Sequence, residues 1–245
     1  MVDGMEISVN TLLKPNSVKF NKKIFRHRPG LKFPAVSSVT HPETGERYYT
    51  DSDGIYRYPS VTTVCGLVTR DIIKEWENRI GVERANEIRQ TAAVRGKRIH
   101  SLIEDYVNNK EIEISPFDIK LFKSAQNYLN MMDDIVCQEQ AMLSHTLQVG
   151  GTTDCVCIFD NDDELSICDY KTSRFSKDIN KIEHYFMQTS AYAKMFEEIT
   201  TIKIKKLVII MMVDDSDALL FKANTSDWID KFVAVREQFR SEKGF

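Results

Sequence analysis

Hydrophobic and polar positions along this 245-residue chain fall into strand-length apolar runs set among longer stretches of helical period. Runs at about 135–143, 152–159, 164–171, 203–213 and 218–222 are short and rich in Ile, Val, Leu and Cys, as half-buried or buried strands are. The Asp160-Asn161-Asp162-Asp163 tetrad between the second and third predicts a hairpin, because Asp and Asn tolerate the backbone conformations of tight turns. A helical pattern covers about 71–108, with breaks expected near Gly81 and Gly96 and an apolar stripe of Ile99, Leu102, Ile103, Tyr106 and Val107. Ser115-Pro116 opens a further helix to about 132, another spans about 179–198, and a closing helix runs from about 226 to 241. Residues 1–57 are irregular and β-prone, with a hairpin at 47–58 turning on Asp53-Gly54, and Ser60 caps a short helix through 67. This order predicts an α/β protein: a mixed sheet flanked by helices, the 152–171 hairpin at its centre. The expected division is an N-terminal arm, 1–57, and one domain, 58–245.

With 42% hydrophobic residues the chain can bury one sizeable core. Its longest apolar run, 207–213, is strand-sized, so no membrane span is expected. Asp3 and Glu6 interrupt any signal or transit pattern, which predicts a cytoplasmic protein of a bacterium or a phage-infected host. The five cysteines (Cys65, Cys137, Cys155, Cys157 and Cys168) are odd in number and read as buried small hydrophobes rather than a disulfide framework. Cys155 and Cys157 share a strand face opposite to Asp154.

A formal net charge of −3 does not suggest a simple nucleic-acid binder, but its distribution is uneven. Lys14, Lys19, Lys22, Lys23, Arg26, Arg28 and Lys32 occur without an acid and are interleaved with Phe20, Phe25 and Phe33. Such a stretch is either a solvated arm or a DNA contact. A second cluster, Arg84, Arg89, Arg95, Lys97 and Arg98, leads to His100.

Chemistry concentrates on the predicted hairpin. Asp169 and Lys171, two apart on a strand, point the same way, and Asp154 on the neighbouring strand can join them. Two carboxylates form a hard, oxygen-rich site suited to Mg²⁺ or Mn²⁺, and a lysine beside them can orient a water or neutralise charge on a phosphate oxygen. The plain alternative is a surface hairpin with an ordinary Asp–Lys pair. Glu139 lies in the middle of the preceding strand, where a Glu is disfavoured unless it faces solvent or a site. Tyr185, Gln188 and Tyr192, spaced three and four apart, share one helical face. His100, beside the apolar stripe with Glu104 one turn on, is either a surface His–Glu pair or part of the same site. His27, His41, His145 and His184 have no ligand partners at useful spacing, no Ser/His/Asp or Cys/His constellation occurs, and no glycine-rich phosphate loop is present.

Taken in order, Gly96-x-x-x-His100, Glu139, Gly150-Gly151-Thr152-Thr153-Asp154, Asp169-Tyr170-Lys171 and Tyr185-x-x-Gln188 resemble the PD-(D/E)XK nuclease superfamily. The likeness is to its RecB-like exonuclease branch, which includes the mitochondrial genome maintenance exonuclease and its phage and bacterial relatives. It covers His100–Tyr192 strongly and reaches weakly back to Tyr58 and Trp76. The resemblance implies a restriction-endonuclease-like core and a Mg²⁺- or Mn²⁺-dependent DNA exonuclease of replication, repair or recombination. It implies that Asp154, Asp169, Glu139 and His100 approach the metal, that Lys171 is the motif lysine, and that Gln188 and Tyr185 close the site against DNA. Arg95, Lys97, Arg98 and Arg174 are the expected DNA contacts. Some relatives carry an iron–sulfur cluster with cysteines near the C-terminus; here none lies beyond Cys168, so none is expected. A partner helicase or recombinase is expected to supply unwinding. The rivals are a structure-specific (flap) endonuclease and a catalytically inert DNA-binding recombination accessory protein.

Overall fold

The computed structural model describes residues 23–244. Its centre is a five-stranded mixed sheet in the order β4 (Met132–Ser144), β5 (Val149–Phe159), β6 (Leu165–Ser173), β7 (Lys206–Val213), β8 (Leu219–Asn224). Only β6 and β7 run parallel, joined through helix α4 (Glu183–Thr200), since a parallel pair needs a crossover. The predicted hairpin is β5–β6, with Asp160 and Asn161 at φ 63° and 55°, left-handed positions these residue types accept. The expected mixed sheet with that hairpin near its middle is therefore the observed architecture.

Strand alternation sorts the core into two layers. Val156, Ile167, Ile209 and Met211 face α1 (Val61–Ile80), α4 and α5 (Ile229–Lys243). Cys155, Cys157, Cys168, Tyr170, Val208 and Ile210 face α2 (Val82–Val107) and α3 (Ile119–Leu129). Asp154, Asp169 and Lys171 share parity with the first layer, so the cysteines lie on the opposite face from the acids, as alternation predicts. Burial pushes the thiols of Cys65 and Cys137 up to about 12 and those of Cys155 and Cys157 well above the usual range, which keeps them neutral.

Several boundaries differ from expectation. Ser60 caps α1 by accepting the Thr63 N–H at 2.9 Å, but the helix runs on to Ile80 rather than stopping at 67. The chain breaks at Gly81 (φ 87°) as expected, yet α2 passes through Gly96 unbroken. Burial of Ile99, Ile103, Tyr106 and Val107 along one stripe outweighs the roughly 1 kcal/mol propensity cost of that glycine. After Ser115-Pro116 a turn intervenes, and α3 begins only at Ile119. Among the described residues no helix is long and apolar enough to cross a membrane.

Of the basic stretch, Lys14, Lys19, Lys22 and Phe20 lie outside the described residues. Its described part is largely exposed but anchored at several points. Phe25 is buried edge-on against Tyr106, and Lys23 donates to the carbonyls of Asn130 and Met132 at 2.8 and 2.7 Å. Arg26 and Arg28 pair with Asp133 and Asp134 at the start of β4. The aromatic anchor and the acids of β4 hold the segment down.

A second, three-stranded antiparallel sheet, β1 (Val36–Thr40), β2 (Arg47–Asp51) and β3 (Arg57–Pro59), leans on β5. The predicted hairpin forms its β2–β3 pair; β1 is an addition. The contact explains Gly150-Gly151. A Cβ at Gly150 would stand 2.2 Å from Tyr49 Cβ, and one at Gly151 would stand 2.5 Å from Tyr192 Cε1. At Gly96, by contrast, an added Cβ meets nothing nearer than Thr172 Oγ1 at 3.9 Å. Gly150→Ala should therefore destabilise the protein by about 1–3 kcal/mol through overpacking. Gly96→Ala should be neutral or stabilising by up to about 1 kcal/mol. Urea unfolding of the two variants checks both; equal midpoints would contradict the packing assignment.

Candidate metal centre

The site begins where the β5–β6 ladder stops. Pairing runs from Ile158↔Leu165 to Cys155↔Cys168, and the next register pair is Asp154 and Asp169. There the ladder groups of Tyr170 are met by side chains instead of by β5 backbone. The Tyr170 N–H donates to Asp154 Oδ2 at 2.7 Å, and the Tyr170 carbonyl lies 2.9 Å from His100 Nε2. His100 reaches this gap from α2, its ring edge-on to that of Tyr170.

On the other side of β5, the β4 register (Gln138↔Cys155, Gln140↔Thr153) sets Glu139 opposite Asp154. Glu139, Asp154 and Asp169 thus form one row across three adjacent strands. Glu139 has φ 44°, a conformation that costs a non-glycine residue of order 1–3 kcal/mol and clusters at functional sites.

With Nε2 committed as donor to a carbonyl, neutral His100 presents its Nδ1 lone pair to the acids. Nδ1 lies 3.5 Å from Asp154 Oδ1 and 3.7 Å from Glu139 Oε1. One ligand atom from each of the three residues falls within 4.8 Å of the others, close enough to share an ion. Asp169 lies apart from this trio in its contacts: Lys171 Nζ is 2.6 Å from its Oδ2, and Gln188 Nε2 donates to its Oδ1 at 3.3 Å and to Tyr192 Oη at 3.1 Å. The Lys171 ammonium thus caps the buried Asp169 Oδ2, an oxygen that receives no other hydrogen-bond donor among the described residues. The carboxylates of Glu139 and Asp154, with the imidazole Nδ1 once it has lost its proton, fit a divalent cation.

The charges are mutually compensated. Burial works to raise Asp154, but the neighbouring His100, Lys171 and the Tyr170 N–H together hold its carboxyl below the usual range. Asp169 is pushed up to about 6, chiefly by burial and also by the Asp154 charge, against the pull of Lys171. Burial opposes charge on His100, yet Asp154 and Glu139 prevail and raise it to about 10. Lys171 is likewise raised, Asp169 and Asp154 outweighing its burial, so it stands as an ammonium, 5.0 Å over the ring of Tyr185.

Glu139, Asp154, His100 and Lys171 line a cleft of about 570 Å³, whereas Asp169 is fully buried. Lys97 and Glu104 line it from α2, and Arg47 and Tyr49 line it from β2. Of the expected DNA contacts, Lys97 faces the cleft, and Arg174 is exposed just past β6. Tyr185 packs beneath Lys171. Arg95 and Arg98 are engaged elsewhere: Arg95 holds both oxygens of Asp214 at 2.7 and 2.6 Å, and Arg98 forms a two-point pair with buried Asp118. Arg47 and Tyr49 had no signal of their own in the sequence; Gly150, which Tyr49 approaches, was the only trace.

No protein-family model matches the sequence, and no curated protein does. Several solved structures overlap with the chain, among them the following two. SSO0001 is 16% identical, with a TM-score of 0.38 over 73% of this chain and 72% of that one. A protein of Eubacterium rectale named "Putative exonuclease" is 12% identical, with a TM-score of 0.38 over 63% and 68%.

Because His100 is protonated in the metal-free protein and a ligand imidazole must be neutral, cation binding should expel a proton. Calorimetric Mn²⁺ titrations at pH 7, in buffers of differing ionisation enthalpy, should show release of about one proton per ion. Affinity should rise with pH until His100 is neutral, near pH 10. His100→Ala should bind more weakly and lose the released proton. Binding without proton release would remove His100 from the ligand set.

Proposed function

We propose that the chain is a divalent-metal-dependent nuclease that hydrolyses phosphodiester bonds of DNA, acting as an exonuclease on single strands or free ends. One observation carries the reading: the carboxylates of Glu139 and Asp154 meet His100 at the wall of an open cleft, and buried Asp169 is paired with a charged lysine that lines the same cleft. A buried ion-pair network serving stability alone would not be expected to hold Glu139 at positive φ. The exonucleolytic mode draws on the sequence resemblance described above. It is an argument by analogy.

Glu139, Asp154 and His100 would hold the cation, with Asp169 joining them through Oδ2. Mg²⁺ or Mn²⁺ so held supplies Lewis acidity toward a phosphate oxygen and lowers the pKa of water. The one imidazole among carboxylates favours Mn²⁺ over Mg²⁺. The chain's own groups do the rest. Lys171, kept cationic by Asp169 and Asp154, puts positive charge where it accumulates on the phosphate. Gln188, braced by Tyr192, fixes the rotamer of Asp169. His100 Nε2, tied to the Tyr170 carbonyl, keeps Nδ1 aimed at the acids. Lys97 and Arg47, both lining the cleft, lower the cost of bringing a polyanion into it. Unwinding of duplex DNA would fall to a partner helicase or recombinase.

The test is digestion of end-labelled DNA with and without Mg²⁺ or Mn²⁺. Asp169→Asn and Lys171→Ala should each lower cleavage by at least about 100-fold. Circular dichroism should show both variants folded. Near-normal digestion by either variant would refute the assignment. A linear single strand should be degraded while a closed circle persists; a cut circle would identify an endonuclease. Failure of the wild type to cleave any substrate, while still binding DNA, would leave the accessory-protein reading.

A further inference from the structure

Immediately beyond the strand that carries Asp169 and Lys171, the chain exposes Arg174-Phe175-Ser176, followed by half-buried Lys177. The Phe175 ring is 70% exposed, although its backbone is pinned: Ser173 Oγ donates to the Phe175 carbonyl at 2.7 Å, and the Ser173 carbonyl accepts the Asp214 N–H at 3.0 Å. Arg174 stacks beside it, 5.4 Å from the ring centroid, and makes no ion pair among the described residues. Lys177 donates to Tyr185 Oη at 3.3 Å and lies 5.4 Å from the centroid of that ring. The same Tyr185 ring carries Lys171. From Lys171 to Lys181 there are four cations and one acid, Asp178, and that acid is paired with Lys181 at 3.4 Å. The patch is a fixed aromatic face among cations, continuous with the candidate catalytic lysine through one tyrosine.

We propose that Phe175, flanked by Arg174 and Lys177, is a stacking platform for an unpaired base of a single-stranded nucleic acid next to the scissile phosphate. The proposal rests on the nuclease reading for its placement and adds the residue that holds the unpaired base. Four residues of extended chain span at most about 14 Å, so the ring lies close enough to Lys171 to act on a nucleotide next to the one cleaved. Cations track a phosphate backbone while an exposed ring covers a base, and every base offers such a face. In a duplex those faces are already stacked on their neighbours, so the ring selects for unpaired strands. A protein partner fits less well, because charged side chains are depleted from the apolar centre of protein interfaces.

Fluorescence anisotropy with labelled oligothymidine and with a blunt hairpin duplex, in EDTA to block cleavage, tests the idea. Phe175→Ala should weaken single-strand binding by about 5- to 100-fold and leave duplex binding within about twofold. Phe175→Trp should restore it. In the wild type, 2-aminopurine placed beside the cleavage position should be quenched on binding, and in Phe175→Ala it should not. Unchanged single-strand affinity in Phe175→Ala, or equal losses on both substrates, overturns the platform. So does a wild-type dimer in sedimentation that Phe175→Ala dissolves, since the ring would then serve a second copy of the chain. A wild type that binds single strands through Phe175 yet never cleaves sinks the nuclease reading alone. A wild type that cleaves normally without any effect of Phe175 sinks the platform alone.

Discussion

Two backbone groups of a single residue hold this site together. Tyr170 sits where β5 and β6 part company, and its N–H and C=O point into a gap that no strand fills. Leaving such buried groups unpaired costs about 1–3 kcal/mol each, so something must meet them. Asp154 and His100 do so, one as acceptor and the other as donor. Their side chains therefore have a structural task that fixes their rotamers, and the atoms left over, Asp154 Oδ1 and His100 Nδ1, face each other at 3.5 Å. The fork in the sheet and the candidate metal centre are the same feature.

The fork also sets the electrostatics. Three acids in one register row repel, and the protein answers with two cations from different elements, Lys171 on β6 and His100 on α2. The carboxylates divide their roles accordingly: Asp154, closest to the imidazole, stays ionised, while the fully buried Asp169 is drawn toward neutrality. Such unequal partners are what a polar site in a low-dielectric setting produces. Glu139 and Asp154 line the open cleft, while Asp169 is buried and held by Lys171.

Much of this was legible because strands alternate strictly. Parity alone puts Asp169 with Lys171 and sets the cysteines on the far side, and the Asp/Asn tetrad marks the hairpin. What sequence could not yield is what depends on distant packing. Gly96 looks like a break, yet the stripe from Ile99 to Val107 carries the helix through it. The basic run before Lys32 looks free, but Phe25 finds Tyr106 and the arginines find Asp133 and Asp134. Arg95 and Arg98 look like a DNA-facing pair because their acids, Asp214 and Asp118, are remote in sequence. Strand β1, almost wholly solvent-facing, has no hydrophobic alternation to betray it. Gly150 and Gly151 were visible as a motif, but only the structure shows the two tyrosines that require them.

The Arg95–Asp214 pair has a reach beyond its own contact. It fastens α2, five residues before His100, to the end of β7, and Asp214 in turn grips the end of β6 through the Ser173 carbonyl. A single clasp remote from the acidic row thus sets both the pitch of the histidine and the departure angle of the loop bearing Phe175. Drift at a position that never meets substrate can retune both ends of the cleft at once.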